Sequence, residues 1–216
     1  MIEQDILEEI DIPLGEGIHR GILGVPEGAT GIVLFAHGSG SSRLSPRNNF
    51  VAEVIRRGNV ATLLFDLLTL EEDQTYENRF NIELLTERLM EVSDWVKKEE
   101  RLQSLNMGYF GASTGAAAAL KAAARLGSEK IAAIVSRGGR PDLARDELRQ
   151  VTSPVLLIVG GLDDVVITLN EQAYASMTRA HIKELKIVPG ASHLFEETGT
   201  LEQAANLAKN WFVKYL

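Results

Sequence analysis

Gly111-Ala112-Ser113-Thr114-Gly115 is the stretch of this sequence best suited to chemistry, a serine among small residues in the pattern G-x-S-x-G. It follows the apolar run Met107-Gly108-Tyr109-Phe110 and leads into Ala116-Ala117-Ala118-Ala119-Leu120, so it reads as a turn from a strand into a helix. Such a turn is strained, and bulk two positions before or after the serine would strike neighbouring backbone. The hydroxyl then stands clear at a helix N-terminus, where partial positive charge favours a developing oxyanion. The plainer alternative is that Ser113 or Thr114 only caps the helix.

A serine hydroxyl attacks a carbonyl only with a base beside it. The chain has four histidines. His19 falls in an early hairpin and His181 in a polar stretch, and both are expected at the surface. His193 lies in Pro189-Gly190-Ala191-Ser192-His193-Leu194-Phe195, a loop after the last predicted strand. A third group should orient that imidazole. Gly160-Gly161-Leu162-Asp163-Asp164 follows a strand between Ser113 and His193 in the chain, and the order Ser, Asp, His suits a strand–turn–helix serine. Asp163, which ends the G-x-x-D turn, is the favoured orienting group. Asp164 is the alternative, and the other of the pair is expected to cap the following helix.

Acyl transfer also needs donors for the tetrahedral oxyanion, each worth roughly 3 kcal/mol to the transition state. One is the N–H of Thr114, after the serine. The other is expected from Ser39 or Gly40 in His37-Gly38-Ser39-Gly40-Ser41-Ser42, with His37 bracing that loop by hydrogen bonds. The same loop fails as a nucleotide phosphate loop, because position 43 is Arg where G-x-G-x-x-G needs Gly, and no G-K-[ST] follows.

The elements that must position these residues are legible from period. Short apolar runs at 32–35, 60–65, 107–110, 131–135, 155–159 and 185–188 are mostly continuous rather than alternating, as strands covered on both faces are. Ile82, Leu85, Leu89, Val92 and Val96 form one stripe of a helix over about 78–100, and Leu201, Ala204, Ala208, Trp211 and Tyr215 form another. Ser45-Pro46 reads as N-cap and first residue of a helix running to Arg57, stopped by Gly58 and Asn59. Ile6 to Ile12 and Ile18 to Val25, around Gly15 and Gly17, read as an opening β-hairpin. Strand and helix in alternation imply a mostly parallel sheet with helices on both faces. Ligands then sit at the carboxyl ends of the strands.

Composition narrows the class. At 216 residues the chain is expected to form one domain, able to bury roughly 70% of its unfolded surface without disulfides. Cysteine is absent, which excludes thiolate metal sites and a thiol nucleophile. A net charge of −8 argues against nucleic acid or an anionic membrane as partner. The N-terminal Met1-Ile2-Glu3-Gln4-Asp5 lacks the basic and apolar regions of a signal peptide, and the apolar stretch at 60–70 contains Asp66, so a cytoplasmic protein is expected. The segment 137–151 is too short for a helical lid, which leaves an open site suited to a small soluble acyl substrate. Arg43, Arg47, Arg137 and Arg140 fall at strand ends or in the loops after them. They either attract a carboxylate-bearing substrate or hold loops together, through Asp66 for example.

The chain resembles the α/β-hydrolases, and among them the small dienelactone-hydrolase-like proteins. The matching pieces are the loop from His37 to Arg43, Ser45-Pro46-Arg47-Asn48, Phe65-Asp66-Leu67-Leu68-Thr69, GASTGAA from Gly111, Ser136-Arg137-Gly138-Gly139-Arg140-Pro141, GGLDD from Gly160 and GASHLFEE from Gly190. The resemblance implies Ser113, Asp163 and His193 as a triad and no cofactor. It departs from dienelactone hydrolases in carrying serine where those use cysteine, which leaves generic ester hydrolysis. A thioesterase or peptidase would share these residues, and a hydrolase-fold binding protein with a silent triad is the reading from another class.

Overall fold

The structure, a computed structural model, describes residues 7–15 and 17–216. Ile6 and the acidic residues 1–5 lie outside the described residues. β1 (Leu7–Leu14) and β2 (Gly17–Gly24) pair antiparallel from Leu14↔Gly17 outward, with Gly15 at φ +55° at the turn. The chain then alternates strand and helix through β3 (Gly31–Ala36), α1 (Pro46–Arg56), β4 (Ala61–Phe65), α2 (Ile82–Val96), β5 (Asn106–Ala112) and α3 (Thr114–Leu126). β6 (Ala133–Arg137), β7 (Val155–Gly160), α4 (Asp164–Ser176), β8 (Lys183–Val188) and α5 (Thr200–Tyr215) complete it.

The eight strands form one sheet in the order β1-β2-β4-β3-β5-β6-β7-β8. β2 joins β4 antiparallel, and every later pairing is parallel. Successive residues of β3 show why its sequence is apolar throughout. Ile32, Leu34 and Ala36 pack toward α2 and α3, whereas Val33 and Phe35 pack toward α1 and α5. β8 is the exception, an edge strand whose Lys186 and Ile187 are exposed.

Element bounds depart from the sequence reading where side chains intervene. The helix expected over 78–100 is confined to Ile82–Val96, because Asn81 accepts the Leu84 N–H and caps it, while Tyr76–Phe80 forms a 3₁₀ turn. α1 starts as expected, with the Ser45 hydroxyl accepting the Asn48 N–H ahead of Pro46, and ends at Arg56. β6 is shifted to Ala133–Arg137 and so carries Ser136 and Arg137 to the active end of the sheet. His19, expected at the surface, is buried: its position on β2 directs the ring inward, where Nδ1 bonds the Asp66 carbonyl at 2.8 Å. His181 is exposed as expected.

α3 approaches the sheet so closely that only small residues fit. A Cβ on Gly115 would lie 2.1 Å from the Ala36 carbonyl oxygen, and one on Gly111 would lie 2.4 Å from Ala116 Cα. On an exposed helix, Gly→Ala stabilises by about 1 kcal/mol. Here overlap with backbone, which cannot rotate away, decides the sign. Gly115→Ala is expected to cost about 3 kcal/mol, roughly 10 °C in Tm, measured by thermal unfolding. An unchanged Tm would show that β3 and α3 can separate freely.

Candidate active site

Ser113 sits between β5 and α3 with φ 51° and ψ −122°, a left-handed conformation that a non-glycine residue adopts at a cost of order 1–3 kcal/mol. Neighbouring backbone holds it there. Its carbonyl accepts from Ala116 N at 3.1 Å and Arg140 N at 3.0 Å, and its own N–H reaches the Arg137 carbonyl at 3.4 Å. The side chain caps nothing, so the plain capping alternative does not describe it. The Ser113 hydroxyl is also free of any hydrogen bond among the described residues.

His193 lies in the loop before α5, and its Nδ1 meets Asp163 Oδ2 at 2.6 Å. Asp163 is mostly buried, with its side chain 16% exposed, and it occupies the N-cap position of α4 without capping it. Asp164 falls in the first turn of α4, so it does not take the cap expected for the second carboxylate. Glu197 braces the histidine loop by accepting the Ser192 N–H at 2.9 Å. Ser113 and His193 line one pocket, together with Gly38, Ser39, Ser41, Ser45, Arg47, Asn48, Arg137 and Gly138. The histidine–carboxylate bond is therefore formed and the serine–histidine bond is not, an arrangement that unliganded sites often show.

Thr114 is the first residue of α3, so its N–H has no partner within the helix. Ser39 lines the serine pocket, but its N–H is engaged by Thr114 Oγ1 at 2.9 Å. Gly40, the other loop candidate, lines an adjoining cleft with Leu68, Leu70 and Leu85 instead. Gly38 is the loop residue that approaches the serine, since a Cβ there would lie 3.0 Å from Ser113 Cβ.

His37 braces the loop as expected: Nδ1 donates to the Gly38 carbonyl at 2.9 Å, and Nε2 accepts the Leu67 N–H at 3.1 Å. That pattern requires a neutral ring. Loss of water around the imidazole holds its pKa below the ordinary 6.5, against the opposing pull of the Gly38 carbonyl, Asp66 and Asp73. A depressed folded value means that stability is complete above 6.5 and is lost as pH falls toward the folded value, because the unfolded chain takes up the proton first. Tm is expected to fall between about pH 7.5 and pH 5, and less steeply in His37→Gln, whose side chain does not titrate. Identical slopes in the two proteins would sink this assignment.

The four arginines divide. Arg43 is committed to Asp66, with its N–H on Oδ1 at 2.7 Å and Nη1 on Oδ2 at 2.6 Å. Arg140 is likewise bonded by Nε and Nη2 to Asp142. These two hold loops and do not line the serine pocket. Arg137 and Arg47 do line it. Arg137 is 8% exposed, its guanidinium lying over the rings of Phe110 and Phe195. Nη2 donates to Asn48 Oδ1 at 3.3 Å, and Nη1 is buried without a hydrogen-bond partner among the described residues. Burial and then the nearby Arg47 bring its pKa down to about 10, so it stays charged at neutral pH. Sequence reasoning passed over Asn48, Ser41 and Ser45 as site residues; only the packing of α1 beside the β6 end brings them there.

An eight-stranded sheet with one antiparallel edge hairpin, a strained serine after β5 and a bonded carboxylate–histidine pair in the later loops defines an α/β-hydrolase. The chain belongs to the dienelactone hydrolase family, whose profile matches residues 20–216. It is similar to the crystal structure of a dienelactone hydrolase from Anabaena variabilis, with 52% identity, a TM-score of 0.94 and coverage of 99% of this chain and 100% of that one. Est1E from Butyrivibrio proteoclasticus shares the fold at 18% identity and a TM-score of 0.78, over 95% of this chain and 98% of its own. A curated protein of Mycobacterium tuberculosis, provisionally named a phosphoribosyl transferase, is 54% identical over 209 residues. Those residues are 97% of this chain and 46% of that protein, so the chain spans about half the length of the curated relatives it matches. The family match and the 52% identical structure are both to dienelactone hydrolases, and Est1E shows the same fold. No helix among the described residues is long and apolar enough to cross a membrane.

Proposed function

We propose that the protein is a serine hydrolase of small carboxylic esters, acting in the cytoplasm through an acyl-enzyme. The observation that carries this reading is the 2.6 Å His193–Asp163 bond in the loops beside a serine at φ 51°. Ser113 Oγ attacks the acyl carbon while His193 Nε2 takes its proton, and Asp163 holds the Nδ1–H and stabilises the imidazolium. The Thr114 N–H receives the oxyanion, joined by the Ser39 N–H once Thr114 Oγ1 releases it. His193 then protonates the leaving alcohol, and water, activated by the same imidazole, frees the acid. No cofactor takes part in this scheme. Phosphoribosyl transfer, the activity in the Mycobacterium tuberculosis relative's name, belongs in this reading to the part of that protein beyond the matched half.

A fluorophosphonate probe tests the reading directly. A stoichiometric adduct on Ser113 of the native protein, absent from the denatured one, is the expected result. No adduct, or an adduct that persists in Ser113→Ala, would overturn it.

A further inference from the structure

Arg137 is the anomaly of the site. A guanidinium brought out of water is normally matched by a carboxylate, because an unpaired buried charge is costly. This one has two aromatic faces, one long bond to an amide oxygen, and a buried Nη1 with no partner. A second guanidinium, Arg47, lines the same pocket. Its ion-pair partner, Glu196 at 3.5 Å, is an exposed rim side chain that contributes little. None of the residues lining the pocket is an acid, and Asp163 is spent on the far nitrogen of His193. The walls add the Ser41 and Ser45 hydroxyls and the first turn of α1, an eleven-residue helix whose N-terminus favours negative charge. Beside it lies a cleft where Leu68, Leu70 and Leu85 give an apolar wall and Asp66, Asp73 and Arg79 add charged groups.

We propose that this pocket binds the phosphate dianion of a phosphomonoester, so that the substrate is a small carboxylic ester bearing a terminal phosphate held by Arg137 and Arg47. Two guanidiniums without an acid among the lining residues call for a double negative charge. A carboxylate would neutralise one of them and offer only two oxygens to the donors on the pocket walls. A phosphate offers three terminal oxygens to the Arg137 and Arg47 guanidiniums and the serine hydroxyls. The phosphate is an anchor and is not transferred: its P–O bonds stay intact. The bond that breaks is the acyl C–O, replaced first by the bond to Ser113 Oγ and then by a bond from water, which leaves one acid and one alcohol. The inference rests on the proposed ester hydrolysis for what is cleaved, and on Arg137 for what is bound.

Calorimetric titration of Ser113→Ala, which turns nothing over, with inorganic phosphate and with acetate separates the two. Phosphate is expected to bind at least about tenfold more tightly than acetate. Arg137→Met and Arg47→Gln, each made in that background, are expected to weaken phosphate by about tenfold or more, whereas Arg101→Gln on the far surface leaves it unchanged. If Arg137→Met does not fold, Arg47→Gln decides, since its side chain is 40% exposed. Acetate binding as tightly as phosphate, no phosphate binding up to about 20 mM, or binding indifferent to both arginines would overturn the proposal. Native protein that takes the fluorophosphonate probe but does not bind phosphate sinks the anion site alone. Phosphate binding without labelling sinks the hydrolase reading alone.

Discussion

Ser113→Ala is expected to lose about five to six orders of magnitude in kcat toward a small activated ester such as p-nitrophenyl acetate. The size of the effect follows from the unit in which the hydroxyl works. His193 has no proton to take once Oγ is gone, so the carboxylate–histidine pair and the Thr114 N–H can only assist water, at the residual rate that binding and oxyanion stabilisation supply. KM for the same ester should move little, because the hydroxyl makes no hydrogen bond in the unliganded site and the pocket walls are retained. Thermal unfolding provides the control. The strain at φ 51° belongs to the backbone, so the variant should unfold within a few degrees of wild type. A variant that keeps more than about one hundredth of the wild-type kcat would remove Ser113 from the chemistry.

Asp163→Asn is expected to cost about 10⁴ in kcat with little change in fold. The amide is nearly isosteric with the carboxylate, yet it can present an N–H where an acceptor is required. It would then turn the His193 ring to the tautomer whose proton faces the serine, and the imidazolium formed during attack would lose its counter-charge. Asp164→Asn, one residue on, is the sharp comparison. That side chain lies in the first turn of α4 and does not bond His193, so kcat should stay within a few-fold of wild type. Equal losses in the two variants would mean that the 2.6 Å bond is not the one used in turnover. The double variant Ser113→Ala/Asp163→Asn should be scarcely slower than Ser113→Ala, because groups acting as one unit do not add.

Much of this site could be read before any coordinates, for reasons that are local. G-x-S-x-G announces its turn because the collisions that require glycine at 111 and 115 involve chain a few residues away or the adjacent strand end. The choice of Asp163 over Asp164 follows from its place in the turn, and Asp163 is the carboxylate that lies 2.6 Å from His193 Nδ1. His19 was misjudged for the opposite reason. Whether this β2 side chain faces water depends on the end of β4, where the backbone carbonyl of Asp66, forty-seven residues later, meets its Nδ1.

The arginines mark the same boundary. Four lie at strand ends or in the loops after them, with nothing in their spacing to tell them apart, and they find different partners in the folded chain. Arg140 finds its partner two residues on, in Asp142, whereas Arg43 pairs with Asp66 at the end of β4, and Arg137 is enclosed by Phe110, Phe195 and Asn48 with no acid paired to it among the described residues. By itself, then, the sequence determined the strands and helices, the serine turn and the chain order of the candidate serine, aspartate and histidine. These depend on side-chain period and on steric contacts within a turn or with the adjacent strand end. Tertiary structure alone decided which charges are paired and which one is left open beside Ser113. Charge pairing acts over a few ångströms in space, and only the parallel crossovers of the sheet bring such distant residues within that reach.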